Sequence, residues 1–354
     1  MSPRKGMAFA VTVLLLLPQF LLAQFNADDQ QRSSADDSNQ LLTRAQSGSV
    51  RDQLLLGEAY ATGFGLPKDL KQAVKWFHRA ADSGNPDAMN DLGIAYATGL
   101  GVTQSYEQAL MWFRRADGDG HAIAQNNLGA LYFEGLGMRS DPGAAVKWWE
   151  KATAHGEAHA VSNLGYAYLT GLGAQKDAHR AFTLFRKAAE TGLAIAQYNL
   201  GTCYVNGQGV PPDLVSAAHW YRKAAEQGFA PAQTNLGLLY QSGRGVPQDL
   251  GEALRLFQAA AEGGDSEALL DLAQTYYTAR GVKHDPILAY MWLEAAASKG
   301  QTVDEAKRIV ASALSPSEVL EAQRRATEWT ALHRTDPGVP LSVSVLGWAH
   351  SGLH

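Results

Sequence analysis

The sequence predicts an all-α solenoid of paired helices, and three observations predict it. One 36-residue unit occurs seven times with no insertion. Within each copy a Leu and a Tyr stand one helical turn apart. Glycines recur at the two places in each copy where a helix would have to stop. Self-similarity at a fixed period of this length marks stacked repeats, in which no copy can bury its apolar face alone.

The first helix of each copy carries a Leu-Gly pair, beginning at Leu56, Leu92, Leu128, Leu164, Leu200 and Leu236, with Leu272-Ala273 in the seventh copy. Four residues on come Tyr60, Tyr96, Tyr132, Tyr168, Tyr204, Tyr240 and Tyr276, on the same helix face. This helix is expected to stop at a Gly-x-Gly element, for example Gly207-Gln208-Gly209. In the seventh copy Ala279 replaces the first of these glycines. The second helix is expected to start near Asp69, Ser105, Asp141, Asp177, Asp213, Asp249 and Asp285. Such side chains accept the orphan amide hydrogens of a first turn. Gln72 and Glu252, three residues after Asp69 and Asp249, complete capping-box patterns.

Each second helix carries a bulky pair, such as Trp76-Phe77, Trp112-Phe113, Trp148-Trp149 and Trp220-Tyr221. Leu184 and Leu256 stand where the others have Trp. Burying one such ring contributes about 1.5–3 kcal/mol, and small residues at Gly57, Ala73 and Ala80 and their equivalents let the backbones approach. A third glycine, for example Gly228, is placed to end the helix in a left-handed turn.

The ends follow in order. Arg4 and Lys5, the apolar run from Met7 to Leu17 and the small Ala23 read as a cleaved signal peptide over residues 1–23. The alternative is a retained anchor, but the run is shorter than the ~20 residues of a comfortable span. Residues 24–40 are polar and acidic and read as a disordered linker. Residues 41–300 hold the seven copies with a half-copy cap in front. Residues 301–333 read as two capping helices, each with a capping-box pattern: Thr302 with Glu305, and Ser315 with Glu318. Residues 334–354 read as a flexible tail.

Composition narrows the function classes. The net charge of −5 gives no electrostatic footprint for nucleic acid. The single cysteine, Cys203, excludes an internal disulfide, so an exported chain of this kind must hold together by packing alone.

The recurring run, written in the fifth copy as Leu200-Gly201, Tyr204, Gly207, Gly209-Val210, Asp213, Ala217, Trp220, Ala224-Ala225, Gly228 and Ala232, resembles the Sel-1-like repeat, a relative of the tetratricopeptide repeat. The resemblance covers residues 41–300. It implies a right-handed α/α superhelix and adaptor work through a concave surface. Some members of that family carry a disulfide in each repeat, which this chain lacks.

Several motifs in the same residues bear on chemistry. The Gly-x-Gly element lacks the third glycine of a dinucleotide fingerprint and the Lys-Ser/Thr of a phosphate loop. Its recurrence in six copies makes it a joint. His155 and His159 flank Gly156, a helix stop, so they belong to different helices and are not a zinc-peptidase pair. Ser-x-x-Lys, Lys-Thr-Gly and Gly-x-Ser-x-Gly are absent from the sequence. Cys203 reads as a packing residue. No catalytic residue, cofactor or metal is expected.

Asp91, Asn127, Asn163, Asn199, Asn235 and Asp271 form a ladder, each just before the repeat leucine or Leu272. Two readings stand: each side chain binds the loop backbone of a neighbouring copy, or the row grips an extended peptide. A binding surface should instead vary between copies. On a helical wheel the face opposite the Leu and Tyr holds Asn126, Phe133, Tyr166, Leu169, Tyr198 and Thr202 in the middle copies. These six are the candidate partner-binding residues, with packing between adjacent first helices as the competing reading.

The function expected is a non-enzymatic, exported scaffold. It would be a monomer in the periplasm or secreted, most naturally from a bacterial envelope, and would bind a protein or peptide on its concave face. The alternative is a peptidoglycan- or cell-wall-related enzyme or ligand-binding protein on the same scaffold.

Overall fold

The structure, a computed structural model, describes residues 35–333. The signal segment, most of the acidic linker and the C-terminal tail lie outside the described residues. Among the described residues there are seventeen helices and no strand. In order they are α1 (Ala35–Gln46), α2 (Val50–Thr62), α3 (Leu70–Asp82), α4 (Pro86–Thr98), α5 (Tyr106–Asp117) and α6 (Ala122–Glu134). Next come α7 (Pro142–Ala154), α8 (Ala158–Thr170), α9 (Ala178–Glu190), α10 (Ala194–Asn206), α11 (Leu214–Glu226) and α12 (Ala230–Ser242). The last are α13 (Leu250–Glu262), α14 (Ser266–Tyr277), α15 (Pro286–Ser298), α16 (Asp304–Ala311) and α17 (Pro316–Leu332). The even-numbered helices α2 to α14 are the first helices of the seven copies.

The chain forms two compact units, one ending at Asp177 and the other starting at Ala178. In the N-terminal body α1 covers α2, and each helix from α2 to α8 packs on the next. In the C-terminal body the same order runs from α9 to α15, and α17 closes against α15.

The fifth copy shows how the sequence builds one unit. Gly207 caps α10 in the left-handed conformation at φ +67°, and its amide donates to the Cys203 carbonyl. The side chain of Asp213 then accepts from the amides of Val215 and Ser216 and starts α11. The amide of Asp213 donates to the carbonyl of Tyr204 at 3.0 Å. This bond recurs at every copy, from Asp69 to Tyr60 through Asp285 to Tyr276. It closes each joint and gives the repeat tyrosine a backbone role in addition to its packing.

The glycines of this copy do three different jobs. Gly207 supplies a left-handed φ. Gly209 supplies one too, at +73°, and a β-carbon there would lie 2.1 Å from the Ala178 carbonyl oxygen at the start of α9. The loop of one copy therefore rests on the first turn of the preceding second helix. Gly201 is helical and supplies only space: a β-carbon there would lie 2.7 Å from the Tyr221 ring.

Several expectations are corrected. In the bulky pair the second member is the deeper one. Phe113, Trp149, Phe185, Tyr221 and Phe257 are fully buried, because each points between its own helix pair. Trp220 is only half-buried, and Lys223 lies 4.6 Å from the centre of its ring. The helix α1 begins at Ala35, within the stretch expected to be disordered. Thr302 does not cap α16, whose N-cap is Val303 with no side-chain cap bond. The Ser315–Glu318 capping box at α17 forms with both of its bonds. Ala279 adopts φ +54°, the left-handed conformation that glycine supplies in the other copies.

Candidate partner-binding face

Sequence periodicity left two readings of the variable face of the first helices, a partner surface or packing between adjacent first helices. The structure closes most of it, against the second helix of the same copy and, in the N-terminal body, against the neighbouring first helix. Asn126 and Thr202 have no exposed surface, and Leu169 and Tyr198 are buried. The Asn126 amide oxygen accepts from Asn163, and its backbone carbonyl accepts from the Trp149 ring nitrogen at 3.3 Å. Thr202 Oγ1 meets the Tyr221 hydroxyl at 3.0 Å, while Tyr198 lies against Tyr221 and Phe229 at centroid distances of 5.7 and 5.4 Å. Burial pushes the Tyr198 hydroxyl up to about 12. These four residues pack the interior and present no surface to a partner.

Phe133 and Tyr166 remain half-buried. Both lie in the N-terminal body, edge to face with centroids 6.1 Å apart, and Phe133 also rests on Trp149 at 5.4 Å. Burial raises the Tyr166 hydroxyl, and the charge of Glu134 raises it further, so an exposed acid stands near the pair.

The ladder binds neither loop backbone nor an open groove where its bonds are seen. Asn127 Nδ2 donates to Asn90 Oδ1 at 3.1 Å, and Asn163 Nδ2 donates to Asn126 Oδ1 at 3.0 Å. In these two steps the residue before the leucine reaches the residue two before the leucine of the preceding copy. Hydrogen bonding inside a buried helix-to-helix seam fixes register, because an unpaired amide there costs about 1–3 kcal/mol.

One cluster was not found by sequence reasoning. At the start of the seam the preceding copy offers Leu54, and the residue before Leu92 is Asp91. Asp91 is buried, its Oδ1 accepts weakly from Asn90 at 3.5 Å, and its Oδ2 has no partner. Glu58 Oε2 is likewise buried and unpaired. Burial pushes the Glu58 carboxyl up to about 7, helped by the charge of Asp87. Burial, followed by the charges of Glu58 and Asp87, holds Asp91 well above the usual carboxylate range. Asp87 is largely exposed and pairs with His121 at 3.0 Å, which holds its carboxyl low. The signal in the sequence was that Glu58 is the one acid at its position among the seven copies, with Asp91, one of two aspartates at its own position, one copy on.

The remaining motifs are structural. Glu157 accepts from the Ala160 amide to cap α8 and also binds His159 at 2.9 Å, while His155 ends α7. Cys203 is buried, and burial pushes its thiol up to about 12, far from a reactive thiolate. Among the described residues no group of three His, Cys, Asp or Glu is placed to hold a metal ion, and no helix is long and apolar enough to cross a membrane.

Comparison with known proteins agrees with the repeat architecture. The family model described as Sel1 repeat matches seven times, at residues 51–85, 86–116, 122–157, 158–193, 194–229, 230–265 and 266–301. A search of the curated proteins found no match. Among solved structures the chain is similar to a Sel1 repeat protein from Oxalobacter formigenes, with 32% identity and a TM-score of 0.64, over 71% of this chain and 100% of that one. It is also similar to a protective antigen of uropathogenic Escherichia coli, with 24% identity and a TM-score of 0.48, over 90% of this chain and 83% of the antigen. A third likeness is to an immunity protein from Pseudomonas aeruginosa, with 22% identity and a TM-score of 0.41, over 68% of this chain and 83% of that protein. Seven matched copies, in phase with the seven helix pairs, place this chain in the Sel1-repeat family.

Proposed function

We propose that this protein is a non-enzymatic, exported scaffold that binds a protein or peptide on the first-helix face of its N-terminal body. The observation that carries the reading is the Phe133–Tyr166 pair. It is aromatic, half-open and not repeated in the other copies, whereas every recurring polar motif is used to cap, close or register the helices. Partly buried aromatic side chains of this kind anchor partners well, since they bring large area at small entropic cost. The family's fold is generally an interaction scaffold, which supports the same conclusion.

The test is a photoreactive residue placed at Tyr166 and, separately, at Met111, which is exposed on a second helix. Cells producing each full-length variant are irradiated. Cross-linking from position 166 that is absent from position 111 supports the reading. Equal capture from both positions, or from 111 alone, overturns it. Export is tested by sequencing the N-terminus of the protein recovered from its producing cells. A start at Gln24 is expected, and a retained Met1 would contradict cleavage.

A further inference from the structure

The charges of the N-terminal body are sorted between its two helix layers. The first helices α2, α4, α6 and α8 carry Asp52, Glu58, Asp87, Asp91 and Glu134, against Arg51 as their one Lys or Arg. Asp52 is already engaged, by Arg44 and by the Ser49 hydroxyl. The cations of this body lie mostly on the second helices, several of them folded over tryptophans. Arg79 lies 4.4 Å from the Trp76 ring centre, Arg115 lies 4.4 Å from that of Trp112, and Lys151 lies 5.2 Å from that of Trp148. A carboxylate arriving over α4, α6 and α8 would meet acids and, among the described residues of those helices, no Lys or Arg; Arg51 of α2 is the one cation on the first helices of this body.

Two of those acids are incompletely paired. Asp91 Oδ2 and Glu58 Oε2 are both buried without a hydrogen-bond partner. The groups that act on them are one another, Asp87 and the Asn90 amide; His121 reaches the cluster only through Asp87. Burial favours the protonated form of both groups, and an incoming cation would release those protons to solvent while completing the hydrogen bonds of the unpaired oxygens. Asp87 is exposed and Glu58 half-buried, so the rim of the cluster is reached from solvent, with Asp91 buried behind it. Glu134 adds an exposed negative charge beside the aromatic pair of α6 and α8.

We propose that the partner of this face is a cationic peptide segment. A lysine or arginine side chain enters between α2 and α4 to meet Glu58, Asp87 and Asp91, and an apolar side chain packs on Phe133 and Tyr166. The proposal rests on the first-helix face being the binding surface, and it adds the chemistry of what binds there. Charge complementarity selects the occupant: an acidic segment or a free C-terminal carboxylate is repelled by the same residues.

The experiment pans a random dodecapeptide library against the full-length protein and measures the recovered peptides on Tyr166→Ala and on the Glu58→Gln/Asp87→Asn double variant. Circular dichroism confirms that each variant keeps its helicity. The expected result is enrichment of lysine and arginine, with affinity at least tenfold weaker on both variants and weaker still at high salt. Neutral or acidic peptides that lose binding on Tyr166→Ala alone would overturn the cationic partner and leave the first-helix face standing. Peptides that neither variant affects, or no enrichment at all, would overturn both.

Discussion

The ring of Tyr221 lies directly over Gly201, leaving no room for a side chain: a β-carbon at 201 would come within 2.7 Å of the ring. The same relationship joins Gly93 to Phe113 and Gly129 to Trp149, where the corresponding separations are 2.4 Å. Gly201→Ala is therefore expected to destabilise the protein by about 1–3 kcal/mol through overpacking. Gly228, by contrast, has open space around it and a φ of +78°. Gly228→Ala should cost the left-handed backbone penalty less the entropy that glycine adds to the unfolded chain, a few tenths to about 1 kcal/mol. Urea unfolding of each variant alongside Tyr221→Ala separates the mechanisms. In a Tyr221→Ala background Gly201→Ala should lose most of its cost, whereas the cost of Gly228→Ala should persist.

The two rings of the fifth copy's pair should differ in their effects. Tyr221 is fully buried, so Tyr221→Ala is expected to cost about 3–5 kcal/mol. Trp220 is half-buried under Lys223, so Trp220→Ala should cost about 1–2 kcal/mol, the part of its area that leaves water. Equal losses in denaturation midpoints would mean that the outer ring carries as much packing as the inner one.

These contrasts mark what the sequence made legible. Helix starts, stops and joints were readable because each depends on a few neighbouring residues, and Asp213, Gly207 and Gly209 behave as their types require. The partner face was readable only in part. A helical wheel describes one helix, but the fate of Tyr198 and Thr202 is set by rings on other helices, Tyr221 and Phe229. The acid cluster escaped for the same reason: Glu58 and Asp91 come from neighbouring copies, and their conflict exists only when the first helices are laid side by side.

Ala279 offers a test in the opposite direction. It holds φ +54° where other copies place glycine at the end of the first helix. An alanine in that conformation costs about 1–2 kcal/mol, while a glycine carries about 0.5–1 kcal/mol of extra unfolded-state entropy. Ala279→Gly should therefore stabilise the protein by a few tenths to about 1 kcal/mol. A lower urea midpoint for the variant would show that the methyl group is making a contact worth more than the strain.

The Glu58 carboxyl makes stability depend on pH in a defined sense. Its folded-state value is raised from an ordinary 4.5 to about 7, chiefly by burial. The folded protein thus keeps a proton that the unfolded chain has already released, and stability falls with rising pH across that window. The contribution is fully present below about 4.5 and lost as pH passes through about 7. Asp91, raised in the same direction, adds to the slope. Glu58→Gln keeps the shape of the protonated acid and removes the titration. The variant should match the native chain near pH 4 and exceed it at pH 8 by at most about 3 kcal/mol, the equivalent of the shift. Thermal melts of both proteins at these two pH values decide the matter. A native chain that gains on the variant between pH 5 and pH 8 would place the charge of Glu58 among stabilising partners, and the unpaired carboxylates at the α2–α4 seam would need a cation supplied by the protein itself.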